Sequence, residues 1–326
     1  MVEAAAAERP HTFQWCQTML RIKDPKVSVP FYVNHFGFTL LHTIDFPDMK
    51  FSLSFLAILP EGETYDLKPG TPESHKFLFN YKGVTLELTH NHGTEDQEDF
   101  AVNNGNVEPH RGFGHIAVMT KDVYACSAEL EAAGVKFQKR PDEGKMKGLA
   151  FALDPDGYWI ELVKRNEESK INNKYAFAQT MLRVKDAKKS VAFYRDLLGM
   201  NLNKSIELPQ YGFSLWFMCH APEGAGLSDV FDPVIELTHN HGTEDQPDFK
   251  YHNGNDQDKE KGMLQGFGHT GFLTPDLDGA CKWLEEKGVQ FKKKPDEGKM
   301  RGIAFILDPD GYWVELIQTD MKYGTH

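Results

Sequence analysis

Four residues recur at matched places in each copy of this chain: one glutamine, one histidine and two glutamates. Glu161 stands between Ile160 and Leu162 in YWIELV, and Glu315 between Val314 and Leu316 in YWVELI. Glu87 in TLELT and Glu236 in VIELT are set in the same way. His115 and His269 close two copies of GFGH, and Gln17 and Gln179 open two copies of QTMLR. Strand alternation puts each carboxylate on the face opposite its apolar neighbours. Carboxylate, imidazole and amide oxygen all ligate metals, so a concave sheet that gathered one set would hold a divalent cation. One imidazole and three oxygen donors, completed by water, favour octahedral coordination. A lone glutamate on a polar strand face is usually just solvated. Here, however, four candidate ligands persist in both copies while exposed QEDFAVNN has diverged to QPDFKYHN.

The HNH triplets, His90 to His92 and His239 to His241, suggest a metal pair at alternating positions, but they read better as surface histidines at strand ends or as neighbours of a site. GFGH and EGKMKG lack the spacing of a phosphate loop, so their glycines are turn glycines.

These residues sit in a tandem duplication. QTMLRIKD from Gln17 returns as QTMLRVKD from Gln179, ELTHNHGTEDQ from Glu87 returns unchanged from Glu236, and PDEGKM and DPDGYW also recur. The offset shrinks from 162 to 149 residues and then settles at 154, so each half carries its own insertions, which read as loops. We divide the chain into a flexible start (residues 1–12), a first domain (13–165), a polar linker (166–174) and a second domain (175–326). Each domain reads as two βαβββ units. In the first, QWCQTMLRI is a strand, KVSVPFYVNHFG a helix, and FTLLHTIDF, FSLSFLAI and GVTLELTH strands. The next unit opens with the GFGH strand, then a helix capped by Asp122 and stopped by Gly134, then VKFQK, KGLAFALD and YWIELV. The fold class is α+β: four βαβββ modules making two strongly curved sheets. Periodicity alone does not say which modules pair.

Composition agrees with a folded, soluble globular protein. The chain has 326 residues, a 40% hydrophobic share and 12% aromatics. Its net charge of -12 argues against nucleic acid as a partner. Four cysteines without a CxxC pair suit a reducing compartment, and no apolar run is long enough for a membrane span or signal peptide. We expect a cytoplasmic monomer.

QTMLRxKD, ELTHNxGTED, NGNxxPHRGFGH and KMKGLAFxLDPDGYWIEL together resemble the glyoxalase I (lactoylglutathione lyase) family in its duplicated single-chain form, across nearly the whole chain after about Gln14. The family belongs to the vicinal oxygen chelate superfamily, whose paired βαβββ modules agree with the reading above. The resemblance implies isomerisation of the methylglyoxal–glutathione hemithioacetal to S-D-lactoylglutathione, with glutathione as cosubstrate. It implies a divalent metal, Zn(II) first, with Ni(II), Co(II) or Mg(II) as alternatives. The metal ligands map onto Gln17, Glu87, His115 and Glu161 and onto Gln179, Glu236, His269 and Glu315. Two-chain members of the family build each site across subunits. Carried over, one site is Gln17, Glu87, His269 and Glu315, and the other is Gln179, Glu236, His115 and Glu161.

The proton transfer needs a base and stabilisation of developing enediolate charge, which a metal supplies. We assign the base to Glu161 and Glu315, with Glu87 and Glu236 as facing carboxylates. For the glutathione carboxylates the resemblance implies Arg21, Asn91, Arg183 and Asn240 from the opening modules. From the second modules it implies Arg111, Lys139, Lys145, Lys293 and Lys299, with Met146 and Met300 beside them. Phe51, Leu53 and Phe55, and Phe213, Leu215 and Phe217, offer apolar walls. Two departures stand out. The family usually has Trp where His92 and His241 stand, and Gln265 occupies the place that Arg111 fills in the first half, with Lys259 and Lys261 as nearby cations. A ring-cleaving dioxygenase of the same superfamily would want a second histidine where Gln17 and Gln179 stand, and a drug-sequestering module would lack the quartet.

Overall fold

A computed structural model of the chain describes residues 9–167, 169–221, 233–258, 260 and 262–319. The first eight residues of the expected flexible start lie outside that set, as do Lys259 and Lys261.

The first module runs β1 (Gln14–Ile22), α1 (Pro25–Phe36), β2 (Thr39–Phe46), β3 (Phe51–Ala57), α2 (Pro72–Asn80) and β4 (Thr85–Asn91). The second runs β5 (Phe113–Thr120), α3 (Val123–Ala132), β6 (Phe137–Lys139), β7 (Ala150–Leu153) and β8 (Trp159–Lys164). The third holds β9 (Tyr175–Val184), α4 (Ala187–Ala192), β10 (Asn201–Leu208), β11 (Phe213–Cys219) and β12 (Val234–Asn240). The fourth holds β13 (Phe267–Thr274), α5 (Leu277–Glu286), β14 (Phe291–Lys293), β15 (Ile303–Leu307) and β16 (Trp313–Gln318).

Local chemistry sets the helix ends. The Asp24 side chain accepts from the backbone N–H of Lys26, Pro25 opens α1 with no N–H to lose, and Gly37 closes it at φ 69°. Asp122 caps α3 by accepting from the Ala125 N–H. α2 lies in an insertion, where the unequal repeat offsets predict a loop. Its cues are Thr71, which makes a reciprocal cap with Ser74, and Pro72 at the first helical position.

The sheets do not follow the duplication. One eight-stranded sheet has the order β14-β15-β16-β13-β1-β4-β3-β2, and the other β10-β11-β12-β9-β5-β8-β7-β6. The first module therefore shares a sheet with the fourth, and the second with the third. At each centre the halves join by an antiparallel pair, β1 with β13 and β5 with β9. Alternation gives each sheet an apolar face toward the helices and the other sheet. Leu86 and Leu88, flanking Glu87, are fully buried in the main core with Leu20, Ile22, Tyr32 and Phe36. Burial of such side chains contributes about 1.5–3 kcal/mol each. The opposite face of that sheet carries Gln17, Glu87, His269 and Glu315, which line one cavity.

The repeated DPDGYW turns tie the sheets together. Asp154 accepts from the N–H groups of Asp156 and Tyr158 and, at 2.8 Å, from the Tyr32 hydroxyl of α1. Tyr158 donates to the Arg21 carbonyl at 3.0 Å. The second copy repeats the contacts, with Asp308 accepting from Tyr194 and Tyr312 donating to Arg183. Each turn thus clamps a module to the preceding module, which lies in the other sheet.

Candidate functional site

Strand register assembles the first quartet. Gln17 on β1 lies opposite Gly271 on β13, Gly271 is level with Glu315 on β16, and Glu87 on β4 is level with Met19. The Gln17 amide Nε2 is 2.6 Å from Glu87 Oε2, 2.9 Å from Glu315 Oε2 and 3.3 Å from His269 Nε2. His269 Nε2 is 3.0 Å from Glu315 Oε2 and 3.4 Å from Glu87 Oε2. On the other sheet Gln179 Nε2 is 2.9 Å from Glu161 Oε2 and 3.3 Å from His115 Nε2, with Glu236 Oε2 also in contact. His115 Nε2 is 3.2 Å from Glu161 and 3.8 Å from Glu236. All eight residues are buried. Each quartet draws two members from each half of the chain.

Two carboxylates side by side out of water, with no Lys or Arg ion pair to either among the described residues, form an unstable charge arrangement. Its strain is visible in the acidities. Burial raises the pKa of Glu236 against the pull of His115, with repulsion from Glu161 adding to the rise. Burial likewise raises Glu315, opposed by His269 and helped by Glu87. Burial alone would lower His269, but Glu315 and Glu87 outweigh it and hold the imidazole up at about 9. A divalent cation relieves all of these at once. The donors fit one: two carboxylate oxygens, one imidazole nitrogen, and an amide whose oxygen replaces its nitrogen on a simple flip. The carboxylate and imidazole ligand atoms of each set already lie within 4.8 Å of one another.

Sequence reasoning did not single out the threonines two residues after the ELT glutamates. Thr89 Oγ1 donates to Glu87 Oε1 at 3.1 Å, and Thr238 Oγ1 to Glu236 Oε1 at 3.0 Å. The signal was the period of two, which puts i and i+2 on one face. Among the described residues no hydrogen bond from outside the quartet reaches Glu161 or Glu315. The rest of the repeated motif builds a turn: Glu95 accepts from Gly93 N–H and contacts His90 at 2.7 Å, and Thr94 donates to the Lys23 carbonyl. His92 and His241 pair with Asp45 and Glu207 at 3.0 and 3.4 Å. The HNH histidines thus engage carboxylates of their own module, and among the described residues they belong to neither cluster of candidate metal ligands.

A cavity of about 680 Å3 opens over the Gln179 quartet, and Arg111, Lys139, Lys145, Met146, Arg183 and Asn240 all line it. The cavity over the Gln17 quartet is about 210 Å3 and is lined by Arg21, Asn91 and Met300, with Phe51, Leu53 and Phe55 as walls. Phe213, Leu215 and Phe217 wall the larger one. Lys293 and Lys299 do not line the smaller cavity, although Lys293 Nζ donates to the Ile303 carbonyl at 2.7 Å just as Lys139 Nζ, at the larger one, donates to the Leu149 carbonyl at 2.6 Å. Arg21 and Arg183 are largely committed to structure. Arg183 donates to the carbonyls of Gly105, Gly112 and Phe113 and to Asn106 Oδ1, and Arg21 to those of Gly266 and Phe267 and to Asn255 Oδ1. They fix the NGN turns beside each site, where Gly105 and Gly254 are required: a Cβ on either would sit 2.0 Å from a carbonyl oxygen. Gln265 lines neither cavity, and its amide donates to the Asn255 carbonyl at 2.8 Å.

The model of the glyoxalase/bleomycin resistance protein/dioxygenase superfamily matches residues 14–162 and again 176–316. The chain belongs to that superfamily. It is 42% identical to glyoxalase I of Saccharomyces cerevisiae, across 97% of this chain and 95% of that protein. It is also 42% identical to the lactoylglutathione lyase of Schizosaccharomyces pombe, across 94% of this chain and 97% of that protein. The crystal structure of glyoxalase I from Zea mays superposes with a TM-score of 0.68 at 25% identity, covering 95% of this chain and 94% of that one. Superfamily members share the paired-module sheet, so fold alone does not separate their chemistries. The full-length relatives and the duplicated Gln–Glu–His–Glu set narrow the choice.

Proposed function

We infer that the chain is a lactoylglutathione lyase. It converts the hemithioacetal of methylglyoxal and glutathione into S-D-lactoylglutathione at two sites, each built from both halves. The observation that carries this reading is the convergence of Gln17, Glu87, His269 and Glu315, and of Gln179, Glu236, His115 and Glu161, into buried quartets. Each quartet would hold one divalent ion, Zn(II) first, which supplies Lewis-acid stabilisation of the enediolate oxygens.

The residues do the rest. One carboxylate oxygen takes the proton from the thioacetal carbon and returns it to the adjacent carbonyl carbon, while the hydroxyl proton passes between the two oxygens, so the reaction is redox-neutral. Glu161 and Glu315 suit this task because, among the described residues, no hydrogen bond from outside the quartet fixes them. Glu87 and Glu236 are fixed by Thr89 and Thr238 and suit the facing role. Arg111, Lys139 and Lys145 offer charge to the glutathione carboxylates over the larger cavity, and over the smaller Asn91 offers its amide beside the structurally bonded Arg21. The same reading makes the protein a cytosolic, monomeric methylglyoxal-detoxifying enzyme. Among the described residues no helix is long and apolar enough to cross a membrane.

The test is growth of thioester absorbance on mixing methylglyoxal, glutathione and protein. A chelator should silence it, and Zn(II) or another divalent ion should restore it. Full turnover in a preparation shown to be metal-free would overturn the reading.

A further inference from the structure

His115 and His269 are oriented without the second hydrogen bond that a ligand histidine normally makes. A histidine that binds a metal through one ring nitrogen almost always donates its other N–H to a carboxylate, a carbonyl or water, and that bond sets the ring plane. In both quartets Nε2 is the atom that meets the glutamine and the glutamates. Among the described residues no hydrogen bond from the protein reaches either Nδ1. The χ2 torsion of histidine has a broad energy profile of its own, so neighbouring groups must fix the plane.

What each imidazole meets instead is a phenylalanine, edge to face. The Phe151 ring lies 5.3 Å from that of His115 at 60°, and the Phe305 ring 5.3 Å from that of His269 at 68°. Aromatic rings prefer this kind of crossing because the positive edge of one faces the negative face of the other. Each phenylalanine is itself braced. Phe151 meets Trp159 at 5.2 Å, Phe305 meets Trp313 at 5.5 Å, and the Lys292 ammonium sits 5.3 Å from the Trp313 ring centre.

Strand register sets the same ring beside a second ligand. Phe151 on β7 lies opposite Glu161 on β8, and Phe305 on β15 lies opposite Glu315 on β16. Trp159 and Trp313 stand two residues before those glutamates, on the same face. Each phenylalanine thus flanks an imidazole and a carboxylate of one quartet, all within one module. The sequence carries both rows, as LAFALDPDGYWIE from Leu149 and IAFILDPDGYWVE from Ile303.

We propose that Phe151 and Phe305 are positioning residues that set the imidazole planes of His115 and His269 in place of a hydrogen bond, so that Nε2 is aimed at the ion. This assignment rests on the divalent-metal reading of the quartets above. A flat ring restricts rotation of the imidazole against it, whereas a branched aliphatic side chain fills similar space without defining a plane.

Metal binding to the full-length protein reads this without substrate, which matters because both phenylalanines also line the cavities. Zn(II) affinity is measured against a chromophoric chelator, and the visible bands of the Co(II)-loaded protein report ligand geometry. Phe151→Leu should weaken the ion of its own quartet about tenfold and shift the Co(II) bands. Phe305→Leu should do the same at the other quartet, and the double variant should weaken both. Phe151→Tyr keeps the ring and should leave affinity and bands as they are in the unaltered protein. Phe151→Met, whose flexible side chain fills irregular space, replaces the leucine variant if that one unfolds. A contact that matters only for packing would lower the thermal midpoint of the metal-free protein and leave affinity and bands unchanged. That result, or equal losses with tyrosine and leucine, would overturn the assignment. An unaltered protein that binds neither Zn(II) nor Co(II) would overturn the metal reading of the quartets itself, and the assignment with it.

Discussion

The hydroxyls of Thr18 and Thr180 meet at 2.7 Å in the buried centre of the molecule. They hold the same place in the two copies, so an approximate two-fold axis relating the sheets passes between them. Phe113 and Phe267, another matched pair, stack at 5.1 Å and 7°. Thr18→Val strands the hydroxyl of Thr180 and should cost about 1–3 kcal/mol, whereas Thr18→Val with Thr180→Val removes both groups and should cost less than the sum of the singles. A double-mutant cycle in urea measures this. Strictly additive losses would show that the two hydroxyls do not depend on each other.

Metal removal should lower stability as well as activity. Each quartet leaves two carboxylates beside one imidazole in a buried setting, and a ligand at a hundred times its dissociation constant stabilises the fold by about 2.7 kcal/mol. Excess chelator should therefore lower the thermal midpoint by several degrees, and added Zn(II) should restore it. Equal midpoints with and without chelator would argue that the quartets bind no ion.

Much of this was legible in the sequence because it depends on local period and caps. The strand read from QWCQTMLRI is β1, and Asp122 caps α3 as expected. The pairing of modules was not legible from periodicity, since β1 and β13 are joined by contacts such as Gln17 with Gly271, far apart along the chain. α2 was missed because two repeats of unequal length make the excess look like a loop, although Thr71 and Pro72 mark a helix start. Lys293 and Lys299 look equivalent to Lys139 and Lys145 in sequence. Only the second pair lines its cavity.

Asp154 should give stability a pH dependence of its own. Burial, with Asp156 adding, raises its pKa from 3.8 to about 7. The fold favours the protonated acid, so this contribution is full below about pH 4 and is lost as pH rises through 7. Asp154→Asn keeps an acceptor for the N–H groups of Asp156 and Tyr158. Across that window it should remove up to one proton's slope, about 1.4 kcal/mol per pH unit. Denaturant melts of both proteins from pH 5 to 8 measure the difference, and parallel pH profiles would contradict it.

Gln265 should separate the two sites in affinity. Arg111 lines the larger cavity, while the amide at the matched position is turned to the Asn255 carbonyl. A charge-assisted hydrogen bond contributes about 1.5–3 kcal/mol when desolvated and less at a rim, so its absence should raise the Michaelis constant roughly tenfold. In the Glu161→Gln background, where only the site of His269 and Glu315 works, Gln265→Arg should lower that constant. No change would mark Gln265 as a tolerated difference.

The central claim is that each site is shared between the halves, and two double variants test it most directly. Glu87→Ala with Glu315→Ala changes both halves but only one proposed site. Glu87→Ala with Glu161→Ala changes one half but both sites. Metal content and turnover of the two proteins should differ sharply. The first should keep one equivalent of metal and the turnover of the remaining site, and the second should lose both. The reverse result, with the single-half variant retaining a working site and the cross-half variant losing both, would contradict sites built across the duplication.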